Sequence, residues 1–347
     1  MNPIVKSFVF HTLAGVLSGG SWLAFLFLFF PWPADASPDA PVAGKALKPI
    51  VIAHRGASGY LVEHSEGSKV LAHAQGADFI EQDVVLTKDR EFIVSHDITM
   101  AETTDVETVY PDRHRKDGKW YFADFTWAEI QNLTLHERTR KDSAERAFPD
   151  RFPGGFGQRI LRLEEEIQLL QGLDRTTGRK TGLYIELKGP EFHRKEFSVS
   201  MGAELLKLLK GLELDEAKDR CFIQCFELQE LVSLHKEHAC KLPLVYLIGS
   251  PIAHEKLKEL SSMIAGLGPS LELLATRTAE GVVQSTGLVE AARDAGLLVH
   301  PYTVRKESQP RWSQSLEQTH QVLIEQLKVD GFFSDFPDTA RRAVDGT

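Results

Sequence analysis

Short, nearly unbroken apolar runs recur along the chain, separated by longer stretches in which apolar positions return every three or four residues. The runs at 48–53, 77–87, 91–95, 182–187, 221–226, 242–248, 263–267, 297–303 and 331–333 predict strands, and their continuity is that of strands covered on both faces. Amphipathic patterns at 66–75, 162–171, 199–210, 227–238, 253–261, 284–295 and 313–328 predict helices between most of them. Strand and helix alternating this often predict an α/β fold, a (β/α)8 barrel ahead of an open doubly wound sheet. One link breaks the pattern. Between Asp83 and Glu91 only a turn at 87–90 is available, too short for a crossover helix, so the barrel is expected to be irregular there. Residues 97–160 are rich in charge, Pro and Gly, and read as a large insertion after an early strand, where barrel loops surround an active site.

The N-terminal pattern is different. Residues 7–30 contain no Asp, Glu, Lys or Arg, Lys6 precedes them, and Ala34-Asp35-Ala36 follows. Charge, apolar run and small residues in that order predict a secretory signal cleaved after Ala36, then a linker at 37–48 and a barrel domain at 49–342. The protein would then be periplasmic or secreted. Uncleaved, those 24 residues would make a helix of about 36 Å, enough to anchor the chain in a membrane. Gly15, Gly19 and Gly20 interrupt the apolar character and favour the cleaved signal.

Composition narrows the function classes. The 347 residues, 42% hydrophobic and 26% charged, suit one large domain or two ordinary ones and exclude wholesale disorder. A net charge of −9 is wrong for tracking a nucleic-acid backbone. Three cysteines cannot build a disulfide framework, so the fold must rest on its apolar core.

The chemistry sits at the ends of the apolar runs. His54-Arg55-Gly56 follows the first strand, pairing a proton carrier with an anion binder, although alone it would read as a capping turn. Glu81 and Asp83 stand at i and i+2 in an apolar strand, so both carboxylates face one side. Two buried carboxylates repel each other unless a cation lies between them or one holds a proton. Glu186 and Lys188 repeat the spacing in the strand at 182–187, and a third carboxylate completes three oxygen ligands for a hard cation. His96 ends the run at 91–95, where a lone histidine is usually only structural. His235, His238 and Cys240 have metal-binding types, but they lie at the polar end of a helix without a fourth ligand.

Taken in order, His54-Arg55, Glu81-x-Asp83, His96-Asp97 and Glu186-x-Lys188 resemble the glycerophosphodiester phosphodiesterase family. Further blocks resemble its periplasmic, longer-chain branch: 54–60, Glu63-His64, 74–78, 115–118, 224–226, 300–305 and 335–338. The resemblance implies an irregular TIM-type barrel and a divalent metal, calcium in that branch with magnesium left open, held by Glu81, Asp83 and Glu186. It implies His54 as general base and His96 as general acid, with Arg55 and Lys188 on the phosphate. Glu63, Gln224 and Tyr302 are candidates for orienting glycerol or the ligands. The implied substrates are small glycerophosphodiesters, such as glycerophosphocholine or glycerophosphoethanolamine, cleaved to an alcohol and sn-glycerol 3-phosphate. A phospholipase-D-like or lysophospholipase-D-like enzyme is the alternative on the same barrel, and a surface binding protein a more distant one. Val62 stands where the family usually has Pro, a departure expected to bear on the glycerol or head-group pocket.

Overall fold

The computed structural model describes residues 48–141, 143–216 and 220–346. The expectations for the signal and linker fall on residues 1–47, outside those described. Among the described residues no helix is long and apolar enough to cross a membrane.

Eleven strands are present among the described residues: β1 (Ile50–Ala53), β2 (Phe79–Leu86), β3 (Phe92–Val94), β4 (Gly182–Leu187), β5 (Cys221–Cys225), β6 (Leu244–Ile248), β7 (Gly266–Pro269), β8 (Ala275–Arg277), β9 (Val283–Ser285), β10 (Leu298–Val299) and β11 (Gly331–Ser334). Eight of them form a parallel sheet in the order β10-β7-β6-β5-β4-β2-β1-β11. The residues after β10 close it onto β11, where Phe333 N donates to Pro301 O at 3.0 Å and Val304 N to Phe333 O at 2.8 Å. This is the expected eight-stranded α/β barrel. Where the crossover was too short, β3 turns back and pairs antiparallel with the far half of β2, Val84 opposite Val94.

Several elements differ from the pattern-based reading. A helix at Pro190–Phe197 follows β4, carrying too many charged residues for its apolar face to show. Residues 284–295 were expected to be helical throughout; β9 takes the first of them as the hairpin partner of β8, and the helix begins at Leu288. The long helix at 313–328 is a short α-helix at Leu316–Gln321 running into a π-helical turn at Val322–Gln326. The strand expected at 263–267 lies later, at β7.

Inside the barrel, Ile52, Phe79, Tyr184, Val245 and Phe333 form a buried cluster with Phe222 and Tyr302 against it. The Tyr184 and Phe222 rings stack at 4.8 Å, and Phe333 meets Tyr184 edge-on at 5.0 Å. Gly182 leaves room for this layer, because a Cβ there would lie 2.2 Å from the Phe79 ring. Five of these residues precede a polar residue by two positions: Ile52 before His54, Phe79 before Glu81, Tyr184 before Glu186, Phe222 before Gln224, Phe333 before Asp335. The strand period of two therefore stacks a polar layer on an apolar plug at the carboxyl ends of the strands. Residues 97–160 contain short helices and a core of their own, in which Met100, Trp120, Phe122, Phe125 and Leu135 pack with Val62, Val85 and Ile93.

Candidate active site

Glu81, Asp83 and Glu186 come together on the polar layer, each offering an oxygen within 4.8 Å of the others. Register does this: Asp83 on β2 pairs with Glu186 on β4, which pairs with Gln224 on β5. All three carboxylates are buried. Gln224 Nε2 donates to Glu81 Oε1 at 3.0 Å, the Arg55 main-chain N donates to Glu81 Oε2 at 2.9 Å, and His64 Nε2 lies 2.9 Å from Asp83 Oδ2. Burial and the charges of Asp83 and Glu186 push Glu81 well above the usual carboxylate range. Burial, opposed by Lys188 and reinforced by Asp83, pushes Glu186 up to about 7. Two acceptors in this layer, Asp83 Oδ1 and Gln224 Oε1, are buried without a hydrogen-bond donor. Crowded carboxylates and orphaned acceptors are the donor set a hard cation takes. Glu81, Asp83 and Glu186 fit that group.

Around the acid cluster stand the cationic side chains. Lys188 Nζ bonds Glu186 Oε1 at 2.7 Å. Arg55, in the left-handed region at φ 56°, bonds Glu63 Oε2 at 2.9 Å, and its buried Nε lies 3.6 Å from Asp83 Oδ2, an ion pair without a hydrogen bond. His54 follows β1, its Nδ1 2.6 Å from Asp335 Oδ1 and its Nε2 3.8 Å from Glu81 Oε2. Burial and the Arg55 charge bring His54 down to about 3, so the imidazole is neutral. Asp335 stays ionised despite its burial, because Arg305 and His54 hold its carboxyl well below the usual range. His54 therefore carries its proton on Nδ1 and presents a bare Nε2 to the site.

His96 is arranged alike, Nδ1 to Asp97 Oδ1 at 2.8 Å, with burial, Arg55 and Lys188 bringing it down to about 4. Asp97 is gripped by Arg138 at 2.5 Å, and Arg138 also clamps both oxygens of Glu63. Glu63 is thus absorbed between two arginines, and their charges hold it well below its usual range against the cost of burial. Tyr302 lies at the edge, its hydroxyl donating to Ile248 O at 3.1 Å and its ring edge-on to Phe226 at 5.7 Å.

Four participants have no role in the sequence reading, although His64 and Asp335 fall in the blocks that carry the resemblance. Asp335 orients His54 and could have been found as the polar residue ending the last apolar run. His64 orients Asp83, Arg138 bridges Asp97 to Glu63, and Arg151 bonds Asp335 Oδ2 at 2.7 Å. Neither arginine follows a strand, so no period marks them. His235 and His238 are exposed at the end of their helix, and the acid cluster is the one metal-type grouping among the described residues.

Residues 54–339 match the model of the glycerophosphoryl diester phosphodiesterase family. The chain belongs to that family. It is an enzyme of the phosphoric diester hydrolase class. Two members named glycerophosphodiester phosphodiesterase are 35% identical (Haemophilus influenzae) and 33% identical (Treponema pallidum) to it. Each alignment covers 86% of this chain, and 90% and 92% of the relatives. Among solved structures, a phosphodiesterase of Oleispira antarctica in complex with the product sn-glycerol-3-phosphate superimposes with a TM-score of 0.60 at 23% identity, covering 86% of this chain and 97% of that one. A glycerophosphodiester phosphodiesterase of Parabacteroides distasonis gives 0.58 at 20% identity over 87% and 99%. Family members with known structures therefore share this barrel.

Proposed function

We propose that the protein hydrolyses small glycerophosphodiesters, such as glycerophosphocholine or glycerophosphoethanolamine, to an alcohol and sn-glycerol 3-phosphate. The observation that carries the reading is His54, fixed by Asp335 with its bare Nε2 turned toward the three-carboxylate cluster. A divalent cation on Glu81, Asp83 and Glu186, calcium by preference, would supply charge to neutralise the phosphodiester anion and lower the barrier to attack.

The chain's own groups divide the remaining work. Arg55 and Lys188 bind phosphate oxygens. His54 Nε2 takes a proton from the nucleophile, a water or the neighbouring glycerol hydroxyl, as the new P–O bond forms; where the hydroxyl attacks, a cyclic phosphate results and a water then opens it to glycerol 3-phosphate. His96 gives its proton to the departing alkoxide as the old P–O bond breaks. Burial and the Arg55 and Lys188 charges keep His96 neutral, and a bound anion offsets the two charges, which shifts the imidazole toward its acid form. We also propose export, on the N-terminal pattern at 1–36.

The lysophospholipid alternative has one feature in its favour. Phe226 is 45% exposed beside Tyr302, an apolar contact for an acyl chain. The test is release of glycerol 3-phosphate from glycerophosphocholine by the full chain, with EDTA, with calcium restored, and with His54→Ala and His96→Ala. Calcium-restored turnover lost in both variants is expected. A metal-loaded, folded protein that cleaves only lysophosphatidylcholine would replace this reading with the alternative.

A further inference from the structure

Residues 135–138 lie over the loop that follows β1. Glu137 N donates to Pro153 O at 2.9 Å, and Gly154, at φ +84°, presses this stretch onto Val62: a Cβ there would lie 2.7 Å from Val62 Cγ2 and 2.8 Å from His136 Cα. The charged groups around Glu137 are Glu63, Arg151, Asp335 and Arg138. Through Glu63 it is one residue from Arg55, and through Asp335 one residue from His54.

Glu137 is 4% exposed, yet among the described residues its carboxylate has no hydrogen bond and no ion pair. The two arginines beside it are already occupied. Arg138 spends all three nitrogens on Glu63 and Asp97. Arg151 spends its own on Glu307, Asp335 and the carbonyl of Ser58. Across this side of the site, Glu63, Asp97, Asp335 and Glu307 take the ion pairs that Arg55, Arg138, Arg151 and Arg305 make. Glu137 is the carboxylate left over.

The Glu137 oxygens are not among the fully enclosed unpartnered atoms, so they stay reachable from outside, but with so little exposure an uncompensated charge there is costly. Burial and the Glu63 charge push Glu137 up to about 8, so without a ligand it carries a proton at neutral pH. A cation from outside would take that proton's place. We propose that Glu137 forms the head-group subsite, accepting the ammonium of a cationic glycerophosphodiester whose phosphate lies on Arg55 and Lys188. The assignment rests on the glycerophosphodiesterase reading and adds substrate selectivity to it. A neutral hydroxyl head group would leave Glu137 protonated and gain no ion pair.

Glu137→Gln tests this, because it copies the protonated form and keeps its shape. kcat/KM would be measured with the full, calcium-loaded chain on glycerophosphocholine and glycerophosphoethanolamine, and on glycerophosphoglycerol as the uncharged comparison. The cationic-to-neutral ratio is expected to fall about tenfold or more, mainly through KM, the scale of one charge-assisted contact. Glu137→Asp, which keeps the charge, should recover part of it. An unchanged ratio, whether both substrates suffer equally or neither does, would overturn the subsite while leaving the hydrolase reading intact. A wild-type enzyme that cleaves none of the three would overturn that reading and the subsite with it.

Discussion

Asp335 Oδ1 accepts a 2.6 Å hydrogen bond from His54 Nδ1, and the two are contributed by the adjoining ends of β1 and β11. The bond decides which nitrogen of His54 meets the substrate. An amide at 335 could favour the other tautomer and place a proton on Nε2. Asp335→Asn is therefore expected to lower kcat by about a hundredfold to ten-thousandfold with little change in KM, as measured by steady-state kinetics. A loss confined to KM would give Asp335 a binding role instead.

The acid cluster should make stability depend on a cation. Three buried carboxylates within 4.8 Å repel one another, and an ion bound only by the folded state stabilises it by about 3 kcal/mol at a hundred times its Kd. Calcium should raise the melting temperature by a few degrees, and EDTA should reverse the rise. Glu186→Gln should abolish the calcium response in thermal melts without unfolding the protein.

Behind the cluster lies a buried chain of contacts. Lys69, fully buried, bonds Glu166 at 2.9 Å, the carbonyl of Glu81, and His64 Nδ1 at 3.2 Å. Because the ammonium can only donate, His64 must accept on Nδ1 and donate from Nε2 to Asp83. Lys69→Met leaves Glu166 buried and unpaired, and should cost about 3–5 kcal/mol in denaturant titrations. Adding Glu166→Met should return part of that stability, while calorimetry should still find weaker calcium binding, since His64, and through it Asp83, then lacks the ammonium that holds the ring.

Acid should destabilise the fold partly through histidines far from the cluster. Burial brings His320 down to about 4. The unfolded chain then binds its proton from pH 6.5 downward while the folded chain does not until about pH 4, so stability is full above pH 6.5 and falls as pH drops through that window. His320→Phe, packed against Phe332, should lose less stability between pH 7 and pH 4 than the wild type, by on the order of 2–3 kcal/mol in urea titrations. Parallel curves for the two proteins would exclude His320.

What could be read in the sequence was what the strand period carries. Glu81 with Asp83, and Glu186 with Lys188, declare their common face by spacing alone, and an apolar flank declares their burial. The barrel followed from the same runs. Residues such as Arg138, Glu137 and Arg151 stayed hidden because they come from 97–160, where Met100, Trp120 and Phe122 form a core without a repeat. The helix at Pro190–Phe197 was hidden by its charges, and the β8–β9 hairpin by its brevity. Glu63 shows another limit: its proximity to Arg55 in the chain was visible, but its capture by Arg138 from 75 residues away was not.

Asp83 sits opposite Glu186 in the β2–β4 ladder, two residues beyond Glu81. The seat's bore is therefore gauged by the backbone repeat of a parallel sheet rather than by any loop. A single-residue slip of β2 against β4 would turn its whole interior set outward. A lineage adapting this enzyme to an ion of another size would have to exchange a ligand, because neighbouring loops can loosen the seat but have no means of resizing it.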